Sequence, residues 1–306
     1  MDTLLLIDGN AIMHRAFHAL PPFKTKAGIP THVVYGFFSM LYKAANDFAP
    51  THIVVCFDTP KPTFRNFLFK EYQAQRPKIA DDFITQIPLL KDALDKAGIF
   101  QIEKDGYEAD DLIGTIAHSD KVAGIRVIIL TGDRDILQLV KDKVFVASPT
   151  LGLSNIKMYD EAAVLNKYDL PASSIPDLKA LMGDPSDNYP GAKGIGPKTA
   201  AKLLKVYVSV ENLLTHTDKL DEKTRKILNS CRSDIEIAKK LAQIDIKVPL
   251  EFDMNRTRFE KFNEELKKEL LKLEMSSLSN RFFSHQVIKK PVIKEKKKDE
   301  KQMGLF

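Results

Sequence analysis

The sequence predicts an α/β fold, a mostly parallel central sheet covered by helices, followed by an all-helical subdomain. Three observations predict it. Short β-branched runs alternate with helical patterns through the first half of the chain. Acidic residues follow several of those runs at once. From about residue 173 the apolar spacing changes to a 3.6-residue period. Taken in order, residues 3–7 form the first apolar run, with Gly9-Asn10 opening a helical stretch to Ala19. Residues 53–57 form a second strand, bounded by His52 and Asp58. Residues 126–130 form a third, ended by Thr131-Gly132-Asp133, and 144–147 a fourth candidate. Helical patterns cover 83–97 and 109–119 between them. Strands that alternate with helices imply parallel pairing with both sheet faces buried. Residues 61–78, rich in Lys, Arg and Phe, are too long for a plain connection and are expected to be functional or mobile. Later helices are expected at 175–182, 199–206, 210–215, 233–244 and 259–273. The expected units are therefore 1–172 (α/β), 173–285 (helical) and 286–306, a Lys-rich tail with too little apolar surface to fold.

With 306 residues, 44% hydrophobic and 28% charged, the chain is long enough to bury a core. The apolar run at 4–7 is far too short for a signal peptide or a membrane span, so no membrane association is expected. Cys56 and Cys231 form neither a disulfide framework nor a metal-binding spacing, which fits a reducing cytoplasm. Of the net charge of +5, residues 286–306 carry +4, seven lysines against three acids. The body is thus nearly neutral. That suits a nucleic-acid enzyme only if a concentrated acidic site is balanced by basic surface elsewhere.

Asp8, Asp58 and Asp133 each follow an expected parallel strand. Residues just past the carboxyl ends of such strands line a shared crevice, so acids far apart in sequence converge there. Glu108, Asp110 and Asp111 stand at the start of a helix, Asp135 two residues after Asp133, and Asp184 and Asp187 in Gly-Asp-Pro-Ser-Asp-Asn. Any one of them alone reads equally well as a turn former or a helix-start acid. Together they repel: two unit charges about 5 Å apart cost roughly 3 kcal/mol at an effective dielectric near 20. Divalent cations relieve that cost. All-oxygen ligands favour Mg²⁺ or Mn²⁺, and two such ions can clamp the oxygens of a displacement at phosphorus. With no His/Cys cluster, a zinc hydrolase is disfavoured. His14 and His18, four apart, lack a third ligand and read as packed or solvated rings.

Leu-Ile-Asp-Gly-Asn (6–10), Val-Cys-Phe-Asp (55–58), Gly-Tyr-Glu-Ala-Asp-Asp (106–111), Thr-Gly-Asp-Arg-Asp (131–135) and Leu-Met-Gly-Asp-Pro-Ser-Asp-Asn (181–188) resemble the motifs of bacterial 5′-3′ exonucleases. These belong to the flap endonuclease superfamily and include the N-terminal domain of DNA polymerase I. The likeness runs from about residue 3 to 275. It implies a PIN-like nuclease fold and cleavage of 5′-flaps and 5′-ends of DNA in replication and repair. It implies a first metal site of Asp8, Asp58, Glu108 and Asp110, and a second of Asp111, Asp133, Asp135, Asp184 and Asp187. Residues 191–200 (Gly191-Ala-Lys-Gly194-Ile-Gly196-Pro-Lys198-Thr199-Ala) resemble the family's helix-hairpin-helix. There, glycines let the backbone approach a duplex phosphate, and the family often holds a K⁺ ion. Pro197 between Gly196 and Lys198 rules out a P-loop.

Residues 61–83, with Phe64, Arg65, Phe67, Phe69, Lys70, Tyr72, Gln73 and Arg76, resemble the family's helical arch that holds a single-stranded flap. Its basic groups would track phosphates, and its Phe residues either stack on bases or form core. Tyr72, Gln73 and Arg76 occupy positions of a catalytic segment that usually reads Tyr-Lys, so Gln73 departs from the pattern by lacking a charge. Arg15 matches a family phosphate contact. The end of the chain, with Gln302, Leu305 and Phe306, resembles a sliding-clamp docking motif on a charged tether. A monomer is expected. Two rival readings are a structure-specific DNA-binding protein with weak catalysis and a PIN-type ribonuclease.

Overall fold

The computed structural model describes residues 2–150, 152 and 155–283. The expected tail at 286–306, with Gln302, Leu305 and Phe306, lies outside the described residues. Six strands form one sheet: β1 (Thr3–Asp8), β2 (His52–Phe57), β3 (Phe100–Glu103), β4 (Arg126–Leu130), β5 (Val144–Pro149) and β6 (Ile156–Tyr159). Their order is β3-β2-β1-β4-β5-β6, all parallel except the β5–β6 pair. The chain leaves β1 toward β2 on one side and returns to β4 on the other. That change of direction opens a crevice above the carboxyl ends of β1, β2 and β4.

Around the sheet lie α1 (Gly9–Ala19), α2 (His32–Phe48), α3 (Phe64–Leu68), α4 (Asp81–Ile84), α5 (Gln86–Lys96), α6 (Ala109–Ala117) and α7 (Glu161–Tyr168). Every β1 residue is buried, and its side chains alternate between two cores. Leu5 and Ile7 join Ile12, Phe37 and Leu90 on one face; Leu4 and Leu6 join Leu112, Ile113 and Ile136 on the other. Period-two alternation with both faces apolar is what a covered parallel strand requires. Cys56 is buried in β2, and Cys231 is half-buried elsewhere.

The helical half comprises α8 (Ile175–Met182), α9 (Pro197–Tyr207), α10 (Val210–Thr215), α11 (Glu222–Ser230) and α12 (Arg232–Ala242). A third core built on Leu181, Leu204, Leu213, Leu228 and Ile235 holds them together, and Tyr72 from the first half enters it. α13 (Glu264–Lys272) and α14 (Ser276–Phe283) return to the α/β body: Leu266, Leu270 and Leu278 lie in the same core as Leu5. The all-helical stretch expected over 173–285 therefore serves all three cores, with Ile175, Ile244 and Val248 joining the core of Leu4 and Leu6.

The expected arch over 61–83 is not one helix. α3 spans five residues and α4 four, with turns and extended chain between. Pro62 and Pro77 interrupt helix propagation. The intervening turn is also pinned: the Gln73 N–H donates to the Asp187 carbonyl (2.9 Å), and Asn188 Nδ2 donates to the Glu71 carbonyl (2.7 Å).

Candidate metal-binding nuclease site

The strand ends deliver the first acids. Asp8 closes β1 and caps α1, accepting from the Ala11 N–H (2.9 Å) and the Thr131 hydroxyl (2.6 Å). Asp58 follows β2 and accepts from the Ala109 N–H at the start of α6 (2.7 Å). Its own N–H donates to Asn10 Oδ1 (3.2 Å). Asp133 follows β4; its N–H donates to the Thr131 hydroxyl (2.9 Å), and its Oδ1 accepts from the Asp135 N–H (2.7 Å). Thr131 thus ties two strand ends together, a role for which the sequence offered no signal.

α6 delivers Glu108 at its N-cap and Asp110 in its first turn. Asp8, Asp58, Glu108, Asp110, Asp133, Asp135 and Asp187 all line one cleft of about 750 Å³, with His14, Tyr72, Gln73 and Arg76 on its walls. Among the described residues, Asp8, Asp58, Asp110 and Asp133 form no ion pair. The consequence is electrostatic. Burial pushes Asp8 up to about 7 against its two hydrogen bonds, and Asp58 and Asp133 push the same way. Burial likewise raises Asp58, and it raises Asp110 well above the carboxylate range with help from Asp133 and Asp8. Glu108 rises to about 7, chiefly by burial, although Arg65 opposes the shift.

The second group is tighter. Oxygens of Asp135, Asp184 and Asp187 lie within 4.8 Å of one another. They also border a second hollow of about 460 Å³, shared with Arg76, Asp133 and Lys179. Lys179 of α8 makes close ion pairs with both Asp135 and Asp184, and Arg76 pairs with Asp187 (2.6 Å). Burial is again the largest influence on Asp184, but Lys179 and the Ser186 hydroxyl outweigh it and hold Asp184 below the ordinary range. Asp135, desolvated and beside Asp133, rises to about 7 despite Lys179. The Tyr72 hydroxyl stands between the groups, 3.3 Å from Glu108 Oε2 and 3.4 Å from Asp187 Oδ2. Burial raises its phenol, so it stays protonated and donates.

Several expected site residues lie elsewhere. Asp111 does not face the cleft. It is fully buried and holds Arg65 through two 2.8 Å bonds, while also accepting from the Asp245 N–H (2.9 Å) and the Glu108 N–H (3.1 Å). Its oxygens are committed to this network and not to an ion. Arg65, expected to track phosphates, is 2% exposed; it also donates to the Leu241 carbonyl (2.9 Å) and the Gln243 carbonyl (3.0 Å). Arg65 therefore locks α3, α6 and the end of α12 together. Arg15 donates to the Gly152 carbonyl (3.1 Å) and does not line the acidic cleft. Phe67 is 80% exposed, Phe64 packs against Tyr107, and Phe69 packs on the third core, so the three Phe residues divide between the two readings. His14 stacks on Phe83 (4.5 Å) and on His18 (6.4 Å), as packed rings do. Gln73 lines the cleft with a left-handed backbone (φ 56°).

The α8–α9 connection forms a tight hairpin. A Cβ on Gly191 would stand 2.1 Å from the Gly183 N–H nitrogen, so the two glycines meet backbone to backbone. Gly194 has φ 103°, Gly196 caps α9, and Lys198 and Thr199 are exposed in its first turn. Lys70 is exposed in the turn after α3. No helix among the described residues is long and apolar enough to cross a membrane.

Comparison with known proteins agrees with this geometry. Residues 3–169 match the family model for the 5′-3′ exonuclease N-terminal resolvase-like domain, and residues 170–265 the model for its C-terminal SAM fold. A 5′-3′ exonuclease of Aquifex aeolicus is 38% identical over 279 residues, covering 91% of this chain and 94% of the relative. DNA polymerase I of Bacillus subtilis is 41% identical over 263 residues, covering 86% of this chain; the chain spans only 30% of that relative's length. A solved structure of T5 5′-exonuclease with bound zinc aligns at TM-score 0.65 and 20% identity, over 92% of this chain and 96% of the other. The chain belongs to the 5′-3′ exonuclease family, and its fold is that of the flap endonucleases.

Proposed function

We propose that this member of the 5′-3′ exonuclease family is a structure-specific nuclease that removes 5′-ends and 5′-flaps from DNA, or from RNA primers joined to it, in replication and repair. The observation that carries the proposal is the cleft at the strand ends, where Asp8, Asp58, Asp110 and Asp133 converge with no basic side chain paired to them. A set of converging carboxylates with no ion-paired partner fits hard divalent cations, Mg²⁺ or Mn²⁺. Asp8, Asp58, Glu108 and Asp110 would hold one ion, and Asp133, Asp135, Asp184 and Asp187 a second. Ions held there would supply charge neutralisation at the scissile phosphate and an activated water.

The chain's own residues do the rest. Tyr72 donates to Glu108 or Asp187 and keeps the two groups in register. Arg76 is half-exposed over the cleft and is placed to exchange Asp187 for a phosphate. Gln73 offers an amide donor where a lysine would offer charge. Exposed backbone around Gly194 and Gly196, with Lys198 and Thr199, supports a non-specific grip on duplex phosphates, and a K⁺ ion is expected there. Lys70 and the exposed Phe67 suit the single strand. Residues 302–306 would dock on a sliding clamp, and the enzyme would act as a cytoplasmic monomer.

The test is a labelled 5′-flap incubated with Mg²⁺ or EDTA, beside single-stranded RNA. The expected result is Mg²⁺-dependent cutting near the junction, leaving 5′-phosphate ends. Tight flap binding without cutting would indicate a binding protein, and preferential cutting of the RNA a ribonuclease. Removal of 302–306 should abolish clamp binding and spare cleavage of naked flaps.

A further inference from the structure

The two acid groups differ in one respect that the metal-dependent reading does not require. The Asp135–Asp184–Asp187 group already contains cations of the chain. Lys179 projects from α8 between two of its three carboxylates and is ion-paired to both, with its side chain only 22% exposed. Its position is fixed by a rigid element: the Gly183 N–H closes α8 on the Lys179 carbonyl (2.7 Å), and α8 is packed in the third core through Leu178 and Leu181. An ammonium on a short stretch of helix is a compact point charge with three donors. It satisfies carboxylate oxygens in the same places a divalent ion would need.

We propose that Lys179 is a built-in cation that holds the Asp135–Asp184–Asp187 group together without a divalent ion and must withdraw before one binds there. The proposal rests on the nuclease reading for the existence of the ion and adds how the second position is controlled. Three observations support it. Among the described residues this is the one set of three such side chains whose ligand atoms lie within 4.8 Å of one another, and two of its acids are ion-paired to a lysine. Its third member, Asp187, is paired to Arg76, an exposed side chain free to swing toward a phosphate. Beside the group the Tyr189 hydroxyl is buried with no hydrogen-bond partner, within electrostatic reach of Lys179, Asp135, Asp184 and Asp187. Water accompanying an incoming ion would satisfy it. Occupancy of the second position is thereby linked to rearrangement of Lys179, and ion binding there is weaker than at the uncompensated acids.

The test uses the full chain and Mn²⁺ alone as the probe, read by electron paramagnetic resonance titration and by thermal denaturation. The parent should bind one Mn²⁺ class tightly and a second weakly. Lys179→Met should tighten the weaker class at least tenfold and should melt earlier in EDTA, and Mn²⁺ should restore the melting temperature. Lys179→Arg should bind as the parent does. If Lys179→Met does not fold in EDTA, Lys179→Gln, which keeps a donor, replaces it in the same comparison. A weaker class that is unchanged or further weakened would overturn the proposal, as would a melting loss that Mn²⁺ fails to restore. Those results leave flap cleavage by the parent untouched, whereas failure of the nuclease reading appears as a parent that does not cut in Mg²⁺.

Discussion

Two groups of carboxylates border two hollows that share Asp133, Asp135, Asp187 and Arg76, and they solve the same electrostatic problem differently. Asp135, Asp184 and Asp187 are drawn close together, and Lys179 and Arg76 neutralise them. Asp8, Asp58, Asp110 and Asp133 have no ion-paired basic partner and are less compact, and burial pushes Asp8, Asp58 and Asp110 toward the protonated form. Like charges approach only where something offsets their repulsion, so the closeness of the lysine-paired group and the raised pKa values of the other acids follow from one rule, and Asp135, beside Asp133, rises as well. A third pairing completes the series: Asp111 and Arg65 are buried together, and Arg65 also reaches Glu108 at the cleft (3.3 Å). One helix start therefore carries acids of opposite purpose. Asp110 faces the cleft, and Asp111, one residue on, faces the core.

The comparison can be broken first at the buried Arg65–Asp111 pair. Arg65→Met leaves the Asp111 carboxylate buried and uncompensated, and should cost about 3–5 kcal/mol in urea denaturation. Loss of less than about 1 kcal/mol would show that the pair is not what joins α3 to α6 and α12.

A pH titration sharpens it next. Asp8 and Glu108 have folded-state values near 7, above their ordinary values of 3.8 and 4.5. A carboxyl that is harder to ionise when folded makes the folded state bind more protons between those limits. Stability then falls as pH rises through that window, by up to about 4 kcal/mol for a three-unit shift. In EDTA the melting temperature should therefore drop between pH 4.5 and pH 7.5, and saturating Mg²⁺ should flatten the profile. A rise with pH in EDTA would contradict the assignment.

The smallest effect concerns Gln73, which lines the cleft. Gln73→Lys restores a charge-assisted contact worth about 1.5–3 kcal/mol, so cleavage of a flap should rise about tenfold or more. The backbone there is left-handed for glutamine already and stays equally so for lysine. A rate at or below the parent's would count against a missing charge at Gln73 and point to Lys70, Arg76 or Lys78 as its substitute.

Much of this was legible in the sequence because strand ends and acids are local signals. The runs ending at Asp8, Asp58 and Asp133 announced both the parallel sheet and its crevice. The hairpin glycines were equally readable, and Gly191 against Gly183 shows why no larger residue fits. Partnerships over long sequence distances were not legible. Lys179 is 44 residues from Asp135, and Arg65 is 46 from Asp111 and 176 from the Leu241 carbonyl. Nothing near Lys179 distinguishes it from any helix lysine. Arg65 looked like one of a basic run, because burial of an arginine depends on a partner that spacing cannot reveal. β3, four partly exposed residues at the sheet edge, and α2, whose apolar residues nearly encircle it, lacked a clean period. The arch was read as helical from likeness, while its conformation is set by tertiary bonds from Asp187 and Asn188.

The central claim is that the uncompensated acids are kept at a cost to stability for the sake of binding ions. Asp110→Asn tests it most directly, because one substitution removes both the repulsion and a ligand. In EDTA at pH 8 the variant should melt above the parent, by several degrees. It should gain less from Mg²⁺ than the parent does and cut a 5′-flap at least about a thousandfold more slowly. A variant that melts below the parent in EDTA and still cuts at a comparable rate would contradict the account.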